Sequence, residues 1–199
     1  PEGEYWQKVS ASIVQEGGQN VSWQTVYHLL DEAGSPIMEE TQIWTMKEEN
    51  HSYLMELEWR GKALVDITIG EYKYGGLFLR MPYKKGAAAE ARNGARQKNN
   101  QAEGQRAQWV DVGMEIEGRS DWAHMTIFDH PDNQGYPQPW RVDRMMGVGP
   151  VLARLGDWKI QKGKMEIIQH QVMVYGGEFD EERISRAWES YSGKGAYAT

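Results

Sequence analysis

Hydrophobic residues alternate with polar ones along much of the first third of the chain. Around Trp23 and Tyr27 every second residue is apolar or aromatic, and the same period returns in two later segments. A period of two places alternate side chains on opposite faces of an extended strand, so each segment is predicted to be a half-buried antiparallel strand. Turn residues separate them at 32–36 and at 60–62, and the second connection is short enough for a hairpin. The predicted strands are 21–29, 53–59 and 63–69.

The second half of the chain continues with strands and ends in one predicted helix. Asp180 suits a helix N-terminus and Gly193 a helix end, and between them apolar residues recur at helical spacing. This stripe consists of Ile184, Ala187, Trp188 and Tyr191. The predicted strands before it are 108–117, 122–129, 141–146 and 165–175. Many strands with one terminal helix indicate an all-β fold, an antiparallel β-sandwich or a barrel, in one domain over residues 1–199.

Residues 82–107 interrupt the strand pattern and are predicted to form a basic loop excursion. They are rich in Ala, Asn, Gln and Gly, and they carry six basic and two acidic residues, a net charge of +4. The remaining residues carry a net charge of −11, which brings the total to −7. Three readings stay open: a solvated loop between strands, an ordered flap over a site, or a segment that docks on an acidic partner.

Composition excludes several classes of protein. The 199 residues include no Cys, which excludes disulfides, thiolate metal sites and a Cys nucleophile. The net charge of −7 disfavours a general nucleic-acid or anionic-membrane binder, and no apolar stretch approaches the length of a membrane span. We therefore expect neither nucleic acid nor membrane as a partner. Composition does not determine the compartment, so localisation is left open.

The densest polar cluster lies where the 122–129 strand runs into a loop. Asp129 and His130 are followed by Asn133, and the loop leads to Trp140. An acid, an imidazole and an amide at the end of a strand are a common arrangement for binding or acid–base chemistry. The same residue types also build plain turns, so a structural role for this loop remains the alternative.

Other candidate ligand-binding residues are more scattered. Arg80 follows two glycines and could grip a carboxylate or a hydroxyl, or pair with a surface acid. His170 lies in a strand, either as a core histidine or lining a pocket. Trp109 and Trp140 are either core residues or stacking platforms for sugar rings. No metal site is predicted, because His124 and His130 lack a matching carboxylate, and no cofactor fingerprint is present.

Several motifs, in order along the chain, resemble a bacterial family catalogued as methane oxygenase PmoA. They are 75–80 (GGLFLR), 108–113 (QWVDVG), 127–133 (IFDHPDN), 139–142 (PWRV), and Gly177 with the Trp188 helix. The family is similar to galactose-mutarotase-like β-supersandwiches, which bind sugars on a sheet. Its members carry a His-rich segment upstream, so the resemblance implies that this chain, which begins at Pro1, is the later two-thirds of the domain. Missing strands would then come from upstream sequence or a second chain.

The leading functional hypothesis is a carbohydrate-active or carbohydrate-binding β-sandwich. His130 would act as general acid or base, oriented by Asp129, on a sugar or a uronic acid. The groups assigned to ligand binding are Arg80, Asn133, Trp140, His170 and Trp109. The runner-up is a non-catalytic interaction module or subunit that docks through residues 84–106. The third is a metal-dependent oxygenase or hydrolase, as the family name suggests.

Overall fold

A computed structural model describes residues 5–193, so Pro1 lies outside the described part. Within it the chain forms thirteen strands, one α-helix and two short 3-10 turns. The strands are β1 (Trp6–Gln15), β2 (Asn20–Leu30), β3 (Pro36–Glu49), β4 (Ser52–Ala63), β5 (Ile67–Ile69), β6 (Leu79–Arg80), β7 (Ala89–Asn93), β8 (Trp109–Glu115), β9 (Trp122–Asp129), β10 (Trp140–Val142), β11 (Gly147–Pro150), β12 (Trp158–Ile160) and β13 (Met165–Gly176). The 3-10 turns are Asn99–Gln101 and Leu152–Leu155, and the helix is α1 (Glu181–Ser192).

Eight of the strands form one antiparallel sheet in the order β1-β2-β3-β4-β13-β9-β8-β7. Its centre is the long pairing of β4 with β13, in which Glu58 faces Gln169 and Leu57 faces His170. Two smaller sheets, β10-β11-β6 and β12-β5, complete the strands. Strands β1 to β4 therefore pair in sequence order, after which the sheet continues through β13. The upstream strands expected from the family resemblance stay a prediction.

The large sheet buries a different core on each face. On one face, small and branched residues such as Val110, Val112 and Ile127 pack with Trp140 and Val148 from the three-stranded sheet. The other face packs against α1 through a second set of buried residues. This set contains Leu54, Trp109, Phe128, Met173, Tyr175, Ile184 and Tyr191. The expected antiparallel β-sandwich with one C-terminal helix is confirmed.

The C-terminal helix follows the sequence signals closely. Asp180 caps its N-terminus by accepting a hydrogen bond from the backbone N–H of Arg183, at 2.9 Å. Ile184 and Tyr191 are buried against the sheet, as the apolar stripe predicts. The hydrophobic stripe thus fixes which side of α1 faces the sheet.

The hairpin expected at 60–62 is absent, because β4 runs straight through these residues to Ala63. Gly61 is an interior strand residue whose missing side chain makes room for the indole of Trp59. A Cβ atom at Gly61 would lie 2.1 Å from Cη2 of Trp59. The glycine therefore serves a close side-chain approach instead of a turn. The predicted 63–69 strand is reduced to the short β5.

The basic segment 82–107 is more ordered than the expected loop, since residues 89–93 form the sheet's outer strand β7. Ala91 and Ala102 are fully buried. Most of its charges have partners within the chain. The ion pairs are Lys84 with Glu117, Arg92 and Lys98 with Glu90, Arg96 with Glu181, and Glu103 with Arg141 and Arg154. The docking role of this segment stays a prediction.

Candidate functional site

Asp129 and His130 lie at the end of β9 and face opposite sides of the large sheet. Asp129 points to the side that packs on the smaller sheets, where His170 of β13 lies beside it. His130 points to the α1 side, where its ring meets that of Tyr191 edge-on at 5.0 Å. Successive residues of an extended chain alternate between faces, so Asp129 does not orient the His130 ring as the sequence analysis expected.

Asn133 clamps the loop after β9 onto β13. Its Nδ2 donates to Oδ1 of Asp129 and to the backbone carbonyl of Gln169, both at 2.7 Å. Its Oδ1 accepts the backbone N–H of Gln169 at 2.8 Å. The backbone N–H of Gln138 donates to the other Asp129 oxygen at 2.8 Å. Asn133 and Asp129 are fully used inside this buried cluster, so both are structural rather than ligand-binding groups.

Burial shifts the pKa values of the two ionisable groups in this cluster in opposite directions. Loss of water raises the pKa of Asp129 from 3.8 to about 6, although the hydrogen bonds from Asn133 and Gln138 oppose the shift. Burial lowers the pKa of His170 from 6.5 to about 4, and nearby His130 adds to this effect. Each shift favours the uncharged form. His170 is thus a core histidine beside Asp129.

Asp132, in the loop after β9, holds the His130 ring in place. The backbone N–H of Asp132 donates to Nδ1 of His130 at 3.2 Å, and the Asp132 carboxylate lies 3.8 Å from the same nitrogen. Because Nδ1 accepts this hydrogen bond, the neutral ring carries its proton on Nε2. The His130 residue is only 2% exposed. Its orientation is therefore fixed by Asp132 on one side and by Tyr191 on the other.

His130 lines a cavity of about 220 Å³ between β3, β4, β13 and the end of α1, which we name the His130 cavity. Its lining combines charged, amide and apolar groups. The lining residues are Ile43, Thr45, Glu56, Leu57, Glu58, Arg60, His130, Gln169 and Tyr191. Glu56, Glu58 and Arg60 come from one face of β4, where alternate residues point the same way.

The carboxylates of the His130 cavity are fixed by neighbouring side chains. The guanidinium of Arg60 donates to Glu58 at 2.5 Å, and Nε2 of Gln169 donates to the other Glu58 oxygen at 3.3 Å. Nε2 of Gln171 donates to Glu56 at 3.0 Å. Two carboxylates with a single guanidinium leave the cavity acidic. It offers hydrogen-bond acceptors and one imidazole to a small polar ligand.

Arg80 lies away from this cavity, on β6 of the three-stranded sheet. Its guanidinium donates to the carboxylate of Asp143 at 2.6 Å and lies over the ring of Phe78. Half of the Arg80 side chain is exposed. The structure therefore favours the surface ion pair over the ligand-binding role.

The tryptophans predicted to stack on sugars are core residues. Trp140 is fully buried, and its indole N–H donates to the carbonyl of Ala107 at 2.8 Å. Trp109 is buried in the α1-side core. Burial removes both ring faces from any ligand. Trp23 and Trp44 are instead a half-buried indole pair, and they stack at 6.3 Å on neighbouring strands.

A second buried histidine lies on the α1 side of the sheet. His124 pairs with Asp111 at 2.8 Å and stacks on Tyr175 at 4.7 Å, and Asp111 also accepts from Thr126. In the sequence, His124 and His130 lack a matching carboxylate for a metal site, whereas the fold places Asp111 beside His124. Within residues 5–193, no three His, Asp or Glu side chains form a metal-ligating group. In the same part of the chain, no helix is long and apolar enough to cross a membrane.

Most residues of the His130 cavity were not predicted from the sequence. No pattern singled out Glu56, Glu58, Gln169 or Tyr191 for chemistry. A usable signal was the apolar stripe of α1, which needs a sheet face to cover. The polar residues at the margin of that covered face are those that line the cavity.

The chain belongs to a family of unknown function, DUF6807, whose family model matches residues 3–189. This match gives no support for the name methane oxygenase PmoA. No curated protein matches the sequence.

Several solved structures resemble the chain at low sequence identity. One is the GH36 α-galactosidase AgaA from Geobacillus stearothermophilus, a variant in complex with stachyose, at 9% identity and a TM-score of 0.51 over 86% of this chain and 28% of that one. Another is the galactosidase domain of the α-galactosidase–sucrose kinase AgaSK, at 12% identity and a TM-score of 0.48 over 86% and 28%. A galactose mutarotase related enzyme from Lactobacillus acidophilus has 7% identity and a TM-score of 0.38 over 84% and 71%.

The chain spans 28% of the length of these two galactosidases. At such low identity, the AgaA match shows a shared fold and nothing more about activity.

Proposed function

We propose that this DUF6807 member binds a sugar or sugar acid in the His130 cavity, and that His130 is the acid–base group of the site. The observation that carries the proposal is the convergence of His130, Glu56, Glu58 and Gln169 on one small cavity. A sugar presents many hydroxyl groups, each of which can donate to a carboxylate or an amide oxygen. The galactosidase fold similarity supports sugars as the first ligands to test.

The size and lining of the cavity support a ligand of one sugar ring. Its volume of about 220 Å³ lies below the roughly 300–1,000 Å³ of sites for drug-sized ligands. Ile43 and the aromatic ring of Tyr191 supply apolar surface beside the polar groups. A sugar ring has the same mixture, since its C–H faces pack on apolar groups while its hydroxyls bond at the edge.

The chemistry available at this site is proton transfer to or from a carbon or the ring oxygen of the sugar. Histidine is the side chain most often used for general acid–base catalysis. In the protonated ring both nitrogens carry a proton, and Nδ1 lies 3.8 Å from the Asp132 carboxylate, so the proton transferred in the proposed step is the one on Nε2. Asp132 thereby takes the orienting role that the sequence analysis gave to Asp129.

Binding is tested by calorimetric titration of the protein with a panel of neutral monosaccharides and uronic acids. We expect at least one sugar to bind, and Glu56→Gln and His130→Gln to weaken its binding by about tenfold or more, since a hydrogen bond to a charged group contributes about 1.5–3 kcal/mol. Arg80→Ala is the matched control, because Arg80 is a half-exposed surface residue in another sheet. Thermal unfolding verifies that each variant is folded.

The acid–base role is tested with the sugar that binds. NMR in deuterated water follows exchange of its anomers and replacement of its C–H protons by deuterium. We expect the wild-type protein to accelerate this exchange. His130→Gln should abolish the acceleration, and Arg80→Ala should leave it unchanged. The binding proposal is refuted if neither a monosaccharide nor an oligosaccharide binds, or if one binds equally to wild type and to the His130 and Glu56 variants. Binding without His130-dependent exchange refutes the acid–base role alone.

A further inference from the structure

A second cavity, of about 500 Å³, continues the His130 cavity along the same face of the large sheet. On β3, Thr45 lines the first cavity and Lys47 the second. On β4, Glu56 lines the first and Leu54 the second. Residues two apart on a strand share a face, so on both strands the lining passes directly from one cavity to the next.

The other two walls continue in the same way. On β13, Gln169 lines the first cavity and Gln171 the second, and on α1 the neighbours Tyr191 and Ser190 do so. The hydrogen bond from Gln171 to Glu56 joins the two stretches at their boundary. The two cavities form one groove, which we name the α1 groove. It follows β4 from Arg60 to Ser52, roughly 26 Å at about 3.3 Å per residue.

A buried amide oxygen in the wall of the second cavity indicates a ligand that donates hydrogen bonds. Gln171 is 2% exposed, and its Nε2 is used by Glu56. Its Oε1 has no hydrogen-bond partner among residues 5–193. Buried polar atoms in folded proteins normally have partners, so this oxygen calls for a donor from outside the chain. A hydroxyl group in the groove becomes such a donor when the Gln171 amide turns toward the cavity that it lines.

The sheet does not favour a peptide in this groove. Peptides commonly bind sheets by adding a strand to a free edge. Here the floor consists of β3, β4 and β13, each of which has a strand paired on both sides. The floor of the groove offers side chains and no free strand edge, so its ligand must be recognised through its own donors and acceptors along its length.

We propose that the α1 groove binds a linear oligosaccharide, with one sugar ring in the His130 cavity and further rings in the second cavity. This inference rests on the proposed function and assigns its substrate class as an oligosaccharide instead of a free monosaccharide. The Gln171 amide then contacts the ring that lies at the boundary between the cavities.

The test compares ligands of increasing length by calorimetric titration. The probes are three series from one to four rings: galactose, melibiose, raffinose and stachyose; glucose to cellotetraose; and galacturonic acid to its tetramer. We expect the tetrasaccharide of one series to bind about tenfold or more tighter than its monosaccharide, because each added ring brings new hydrogen bonds. Ser190→Trp places an indole in the second cavity and is expected to reduce this ratio to about one.

Glu189→Trp is the matched control, since Glu189 is an exposed residue next to Ser190 that lines neither cavity. It should leave the ratio unchanged. If a monosaccharide binds and longer sugars bind no more tightly, the oligosaccharide proposal is wrong and the proposed function is unaffected. The oligosaccharide proposal is also wrong if the ratio of tetrasaccharide to monosaccharide affinity is unchanged in Ser190→Trp. If none of the twelve probes binds, the proposed function fails and this inference fails with it.

Discussion

Replacing Asp129 with Asn should make the stability of the protein depend more strongly on pH between pH 4 and pH 6.5. In the folded chain, the pKa of Asp129 is raised from 3.8 to about 6, and that of His170 is lowered from 6.5 to about 4. Both groups are buried, and the windows in which they titrate overlap. The two contributions to stability have opposite signs, so they largely cancel while both groups are present.

The signs follow from which state binds more protons. Because the pKa of Asp129 is raised on folding, its contribution to stability is fully present below pH 3.8 and is lost as the pH rises through about 6. Because the pKa of His170 is lowered, its contribution is present above pH 6.5 and is lost as the pH falls through about 4. At about 1.4 kcal/mol for each tenfold change in proton affinity, each contribution amounts to about 3 kcal/mol.

Asp129→Asn removes one contribution and keeps the side-chain volume. The free energy of unfolding of this variant should fall by about 3 kcal/mol more than that of the wild type between pH 6.5 and pH 4. His170→Gln should show the reverse, with stability lost as the pH rises from 4 to 6. A constant penalty from the altered hydrogen bonds of Asn133 and Gln138 lowers the whole curve without tilting it.

The assay is urea denaturation at a series of pH values and constant ionic strength, with the slope against urea compared between variants. All other titrating groups are shared, so they cancel in the difference between variant and wild type. Parallel stability curves for wild type and Asp129→Asn would refute the assignment of opposed pKa shifts to this pair.

Two further substitutions test the packing around the site. Trp140→Ala should lower the free energy of unfolding by about 3–5 kcal/mol, because it empties a fully buried site. Trp23→Ala, in the half-buried indole pair, should lower it clearly less. Equal losses in urea denaturation would contradict the assignment of Trp140 to the core. Gly113→Ala places a Cβ 2.3 Å from Cε1 of His124, so we expect a loss of about 1–3 kcal/mol. Gly70→Ala, with no atom closer than 3.9 Å, is its control, and a comparable melting temperature for the two variants would argue against the clash.

Local patterns in the sequence predicted single elements. The period of two around Trp23 gave β2, and the apolar stripe gave the buried side of α1. The cluster of Asp129 and Asn133 was also predicted, because both lie within one short segment. Such features need no knowledge of distant parts of the chain.

The composition of the His130 cavity depends on pairings that no local pattern contains. Glu58 and Gln169 meet because β4 pairs with β13 across more than a hundred residues. Gly61 illustrates a second difficulty, since a glycine between two apolar runs fits a turn as well as a strand that admits a neighbouring ring. β7 illustrates a third: its inward residue Ala91 is too small to give a strand signal, although it is fully buried.

Because side chains alternate along β9, Asp129 and the His130 ring lie on opposite faces of the sheet. Asp129 and Asn133 hold the loop to Gln138 and to the backbone of β13 from the buried side. The cluster also holds the backbone of His130 in place, although the His130 ring lies on the other side of the sheet and is not part of the cluster. A group that binds or transfers protons is effective only when its supporting contacts hold its geometry. The buried polar cluster is therefore the reason why a loop residue can present its imidazole to the cavity in one orientation.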